Sequence, residues 1–391
     1  MFKQLKNDIS FSAISAGFIA VLVGFASSVA IIFQAAQSAG ASHAMTISWI
    51  IALGLGMGLT CIIYSLYYKS PVMTAWSTPG AALLVTSAAG IPIEQIIGAF
   101  LFSGLLITLL GLSGMFDKLM SKLPLPIASA MLAGVLFQFG LDVFLSIDSN
   151  PLLVSSMFAA YLVGKLLLPR YTILIVLAVG MLCAFGFQGS SFSGLDVALT
   201  APVWVTPEFN WQTMIGIGLP LFIVTIASQN VPGVATLRAS GYHNVPISPI
   251  MTGTGITTLL LAPFGGFAFN LAAISAAICC GEESHPDPKK RYIAGVSAGV
   301  FYLLAGAFGA TVVALFTTFP SELIAALAGL ALLSTIGSGL ASATSDSDYR
   351  EAAIVTLLIT ASGISIWGIA APFWALIGGM LTHFFIHKKK T

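Results

Sequence analysis

Charge is what this chain has least of: of its 391 residues only 7% are Asp, Glu, Lys or Arg, while 57% are apolar. A soluble fold of this size could not cover its surface with so few ionised groups, so a water-exposed enzyme or binding domain is excluded. Cysteine is scarce too. Cys61, Cys183, Cys279 and Cys280 lie in or beside apolar stretches, and the adjacent pair lacks zinc-ligand spacing, so they read as small packed side chains. The histidines are scattered, and His383 and His387, four apart beside Lys388 to Lys390, read as a polar helix end rather than a metal site. The chain has no phosphate-binding glycine loop, nucleophile motif or nucleotide-binding domain, which argues against a primary pump or an intramembrane enzyme. No metal, cofactor or nucleic-acid partner is expected. No small-residue cleavage motif closely follows the first apolar stretch, so a removed signal peptide is not expected.

What the chain has in abundance is apolar stretches, running from Phe11 to Ile386, each near the ~20 residues that cross a hydrocarbon core. They divide into about fourteen crossings, seven per half. Charge tests that count, because Lys and Arg concentrate in cytoplasmic loops. With a cytoplasmic N-terminus, all 15 Lys and Arg residues, including Lys3, Lys6, Lys69, Lys118, Lys122, Lys165, Arg170, Arg238 and Lys388 to Lys390, fall inside or at an inner helix end. The outer loops hold only the acids Glu94, Asp142, Asp148, Asp196, Glu208 and Glu322. Both termini are then cytoplasmic. Trp204, Trp211 and Trp367 fall where interfacial belts form.

Shifted by 195 residues, the chain matches itself: Gly104, Gly111, Gly114 and Gly134 land on Gly299, Gly306, Gly309 and Gly329. Seven crossings per repeat is an odd number, so the second repeat enters from the opposite side and the two are inverted. Inverted repeats build secondary transporters, whose substrate sites lie where interrupted helices of the two halves meet. Two short Gly/Pro-interrupted segments stand at matching positions, Pro71 to Gly90 and Pro263 to Gly281. Pro79 and Gly80 suit the first turn of a half-helix open to close approach by a ligand, and Asn270 stands near the start of the partner half-helix. The alternative is a pair of ordinary membrane helices packed through small residues. In the eighth span Ser228, Gln229 and Asn230 stand together just before Pro232, and the first span carries Ser27, Ser28 and Gln34. Amides in hydrocarbon must find partners, as interhelical glue or as part of a site.

The strings TAWSTPGAALL (Thr74 to Leu84), ASQNVPG (Ala227 to Gly233) and LAGLALLSTI (Leu327 to Ile336) resemble the bacterial benzoate:proton symporter family, BenE, along essentially the whole chain. That family is distantly similar to the nucleobase and sulfate-type anion transporters. The resemblance implies an all-α polytopic fold of about fourteen segments, with spans 3 and 10 each a short strand plus a half-helix. It implies a first repeat with a core part in residues 1–118 and a gate part in 119–200. The second repeat follows with a core part in 201–317 and a gate part in 318–391. Carried over by position, substrate contacts fall at Ser77 and Thr78, at Ser228 to Asn230, and at Phe267, Phe269 and Asn270. The nucleobase carriers use acids in their eighth and tenth spans, where this chain has Ser228 or Gln229 and Phe269.

That departure suits an anion, since a buried carboxylate would repel it. The substrate carboxylate is expected between helix N-termini, with Ser77, Thr78 or Asn270 donating, and its ring against Phe267, Phe269 and Trp76. The expected partners are a small aromatic carboxylate, protons, the bilayer of a bacterial inner membrane and a second copy of the chain in a homodimer. Either the substrate itself carries the proton, or a titrating group near one face, such as Asp142, gates the return step. The rival readings are a carrier for nucleobases or inorganic anions and, from another class, a channel for small solutes.

Overall fold

The computed structural model describes residues 8–116, 124–168, 172–186, 200–282, 284–366 and 369–387. Lys3, Lys6, Lys118, Lys122, Arg170, Asp196 and Lys388 to Lys390, used above to orient the chain, and the interfacial Trp367 lie outside the described residues.

The first half contains α1 (Phe11–Ser38) and α2 (His43–Tyr68), a short strand β1 (Thr74–Ala75), then α3 (Thr78–Ser87) and α4 (Ile93–Ser113). It continues with α5 (Leu125–Ser149), α6 (Pro151–Leu167) and α7 (Thr172–Gly186). The second half opens with α8 (Trp211–Arg238). After it come α9 (Ile247–Leu261), the strand β2 (Asn270–Leu271), α10 (Ile274–Cys280), α11 (Tyr292–Ala307) and α12 (Gly309–Thr317). Then follow α13 (Ser321–Thr344), α14 (Arg350–Ala361), the hairpin β3 (Ser365–Ile366) and β4 (Ile369–Ala370), and α15 (Ala371–His387).

The chain is mostly helical, and local chemistry explains where helices begin. Ser10, Ser42, Asn150 and Asn210 each cap a helix by accepting a backbone N–H from its first turn. Among the described residues, six helices are long and apolar enough to cross a membrane, or seven with α1 taken as one span bent by 42°. The sequence reading of about fourteen crossings is larger because it counts shorter runs. α3 and α10 have only 10 and 7 residues, so at about 1.5 Å per residue neither reaches beyond half of a hydrocarbon core.

Contacts sort the helices into two groups. α2 packs on α11, α4 on α9, and α1 on α3, α10 and α11. Separately, α5 packs on α13 and α14, α6 on α7, and α14 on α15. The α2–α11 and α4–α9 contacts are counterparts, since exchanging the two halves of the chain turns one into the other. Glycines at both crossings, Gly306 and Gly104 among those that align at the repeat shift, make both possible. A Cβ on Gly54 would stand 2.6 Å from Gly306 Cα, and one on Gly104 2.9 Å from the Thr258 methyl. Small residues thus let these backbones approach as larger ones could not.

Candidate functional site

The two interrupted segments meet. β1 and β2 pair antiparallel, with Thr74 opposite Leu271 and Ala75 opposite Asn270. Directly opposed residues share a face of the ribbon, so Thr74 and Leu271 point one way, Ala75 and Asn270 the other. Thr74 is fully buried; its Oγ1 bonds Thr60 and its N–H donates to Cys61 Sγ at 3.2 Å. Leu271 is buried against the backbone of α8, where a Cβ on Gly233 would collide with it.

Immediately after β1, Ser77 caps α3. Its Oγ accepts from Gly80 N at 3.1 Å and from Thr225 Oγ1 at 2.9 Å, and the residue has no exposed surface. Pro79 sits in the first turn, where its missing N–H costs nothing. Gly80 is confined, since a Cβ there would meet Leu221 at 2.5 Å and Ser77 Oγ at 2.9 Å. Thr78, by contrast, is half-buried.

α8 contains two π-helical turns, Met214–Gly218 and Ile226–Asn230, each closely followed by a proline, Pro220 or Pro232. A proline gives no N–H to the carbonyl four residues earlier, and a widened turn absorbs that loss. The second turn carries the polar triplet and separates its members. Asn230 is fully buried; its Oδ1 accepts from Leu271 N at 3.0 Å and its Nδ2 donates to Thr225 O at 3.5 Å. Both ends of that amide are occupied, Oδ1 holding β2 against α8 and Nδ2 closing on α8's own backbone. Ser228 and Gln229 are half-buried.

Before β2 the chain leaves α9 through a tight turn with Gly265 at φ 90°, where any Cβ would strike Trp49. Ala268 then adopts φ 46°, a left-handed conformation that a non-glycine residue holds only under local constraint. Asn270 supplies part of it, donating Nδ2 to Ala268 O at 2.9 Å.

The sequence reading placed both phenylalanines beside the substrate ring; the structure places them in the protein interior. Phe267 stacks on Phe100 at 4.9 Å between centroids and meets Trp49 edge-on at 5.7 Å. The Phe269 ring fills the space that Gly56 leaves open on α2. Trp76 is also buried, donating Nε1 to Ser28 Oγ at 2.9 Å and contacting Phe25 edge-on at 5.1 Å. Ser28 in turn donates to Gly24 O at 2.8 Å. Ser27 lies on α1 with its side chain outside the described residues, and Gln34 is half-buried.

The two short helices differ in surroundings. Residues Ala81 to Leu84 of α3 are fully buried and the helix packs against α1, α5 and α8. α10 packs against α1, α8 and α11, and leaves Ile274 67% exposed and Ala277 exposed. A separate cavity of about 320 Å³ between α8 and α15 is lined by Leu219, Phe373, Leu376, Ile377, Met380 and Leu381; wholly apolar, it offers a carboxylate no bond. Among the described residues no cluster of His, Cys, Asp or Glu could hold a metal.

Sequence reasoning missed Thr225, which stands one turn before Ser228 and bonds Ser77, although its spacing from Ser228 was a usable signal. It also missed Thr258, whose Oγ1 accepts from Phe269 N at 3.2 Å.

Comparison with known proteins bears on this geometry. The chain is 45% identical over 366 residues to the "Inner membrane protein YdcO" of Escherichia coli (strain K12), covering 93% of each. It is 42% identical over 390 residues to the "Benzoate membrane transport protein" of Acinetobacter baylyi (strain ATCC 33305 / BD413 / ADP1), covering 100% of this chain and 99% of that protein. Among solved structures it superposes on the transmembrane domain of a cyanobacterium bicarbonate transporter, BicA, with TM-score 0.60 at 14% identity, covering 95% of this chain and 98% of that one. Its match to SLC26A9 has TM-score 0.62 at 13% identity, covering 95% of this chain and 65% of that one. Identities that low show a shared fold and nothing finer. The family model BenE, described as benzoate membrane transport protein, matches residues 7–385, and so the chain belongs to the BenE family of membrane transport proteins and is not an enzyme.

Proposed function

We propose that this protein is a secondary carrier of the bacterial inner membrane that moves benzoate or a similar aromatic carboxylate together with protons. The observation that carries the reading is the junction of the two interrupted segments at the β1–β2 pair, in a chain whose full-length relative is named for benzoate transport. The antiparallel pairing and the exchange-related contacts α2–α11 and α4–α9 support two inverted repeats of seven segments, with both termini cytoplasmic. The group containing α1–α4 and α8–α12 is then the core, and α5–α7 with α13–α15 the gate.

The site lies around the start of α3, with Ser77, Thr78, Ser228, Gln229 and Asn270 the contributing side chains. The buried Phe267, Phe269 and Trp76 shape its wall from behind. The access route follows from the unequal burial of the short helices. α3 is packed against the gate helix α5, whereas α10 leaves Ile274 and Ala277 exposed, which supports a conformation open on the α10 side, read here as the cytoplasmic one. Movement of the gate across the core would close that side and open the other.

The test is uptake of labelled benzoate into proteoliposomes with an inward proton gradient, repeated with an uncoupler and with protein-free vesicles to subtract unaided diffusion of benzoic acid. Saturable, gradient-driven uptake is expected. Uptake equal to that of empty vesicles would withdraw the substrate and direct the search to nucleobases and inorganic anions.

A further inference from the structure

One acceptor at the strand junction has nothing to accept. Asn270 has no exposed surface, its Nδ2 is spent on Ala268 O at 2.9 Å, and its Oδ1 is buried without a hydrogen-bond partner among the described residues. Turning the amide over does not help, because it would set Oδ1 against the Ala268 carbonyl and strand two N–H donors instead. A buried amide oxygen left unpaired costs free energy that a donor would recover. Ser77 presents the converse group. Its Oγ already accepts from Gly80 N and Thr225 Oγ1, so its own O–H remains to be given.

An ionised carboxylate only accepts, and against Oδ1 of Asn270 it would be repelled. A neutral carboxyl has one O–H to give and one carbonyl to receive. We infer that the carrier takes its substrate as the neutral acid, the carboxyl O–H donating to Asn270 Oδ1 and the Ser77 hydroxyl donating to the carboxyl carbonyl. The inference rests on the aromatic-carboxylate reading above and specifies its proton carrier.

The surroundings leave few other candidates for that proton. The elements packed on β2 are β1, the π turn Ile226–Asn230 and α9, and none contains Asp, Glu, His, Lys or Arg. Titratable groups on neighbouring elements include Cys61, bonded to Thr74, and Tyr302, beside Ser275, both weaker acids than a carboxyl. The carboxylate takes a proton from water on the side of higher proton activity, crosses as the acid, and returns the proton to water on release. One proton accompanies each carboxylate and no net charge moves. At pH 7 only about one carboxyl in a thousand is protonated when its pKa is near 4, and apparent affinity falls by that fraction.

Isothermal titration calorimetry of the purified full-length protein, from about pH 5.5 to 7.5, tests this with benzoate and with benzamide, a neutral isostere that both donates and accepts. The apparent Kd for benzoate should rise about tenfold per pH unit, with one proton taken up per ligand bound, measured in buffers of different ionisation enthalpy. Benzamide should compete with an affinity independent of pH, and Asn270→Leu should weaken both ligands at least tenfold. The wild-type arms stand alone if that variant fails to fold. A benzoate Kd unchanged with pH and without proton uptake means that the anion binds; the inference then falls and the carrier reading survives. Proton uptake without benzamide competition assigns the proton to the protein and also overturns it, as does an Asn270→Leu variant with unchanged affinities, whose orphan acceptor then serves only a buried water. No benzoate binding at any pH removes both readings.

Discussion

Gln229 and Asn230 are adjacent amides with opposite situations, and mutation should separate them. Asn230→Ala strips the Leu271 N–H and the Thr225 carbonyl of their side-chain partner inside a buried junction. The cost should be about 1–3 kcal/mol, read as a lower midpoint when tryptophan fluorescence follows thermal unfolding in detergent. Gln229→Ala, at a half-buried position, should shift stability by less than about 0.5 kcal/mol while lowering benzoate uptake severalfold. Sequence could locate this triplet, because amides before a proline in an apolar span are conspicuous. It could not divide the labour among them, since a π turn changes which face each side chain occupies. The phenylalanines illustrate the same limit. Their types suited a ring slot, but the direction of Phe267 is decided by Trp49 and Phe100, far away in sequence.

At the scale of elements, short helices need fastening at the end opposite the proposed site. Arg291 does this for α10: its Nη1 donates to Cys280 O at 2.8 Å, at the helix C-terminus, and its Nε to His285 O at 2.7 Å. A cation there also meets the negative end of the helix dipole. Arg291→Ala should cost about 1.5–3 kcal/mol, and Arg291→Lys should restore only part of it, because an ammonium cannot reproduce the guanidinium fork. Proteolysis of the loop between α10 and α11 should quicken in the same order. The α2–α11 crossing is the other vulnerable element. Gly306→Leu would drive a side chain into the Gly54 backbone, so the folded, monodisperse fraction in size-exclusion chromatography should largely disappear. Gly306 was legible from the repeat shift itself, and Gly54 was not. Which helix Gly306 touches was not legible either, because a repeat aligns positions within the chain and says nothing of pairings between its halves.

At the scale of the whole molecule, unequal burial of α3 and α10 makes the open side measurable. The four native cysteines are all buried, so a cysteine placed at Ile274 would report against a nearly silent background. Ile274→Cys should react with a membrane-impermeant maleimide at least tenfold faster in inside-out vesicles than in right-side-out ones, and benzoate should slow that reaction. Equal rates from both sides would contradict a cytoplasmic opening. Finally, β1 finds its partner in a strand made almost two hundred residues later. During synthesis, at about 5–20 residues per second, the first half of the chain therefore waits tens of seconds with a bare strand edge and an unfilled helix crossing. Lipid offers that edge no hydrogen bonds. A half-made protein is therefore exposed for that interval, and a chain truncated after its first half should be degraded rather than persist as a stable half.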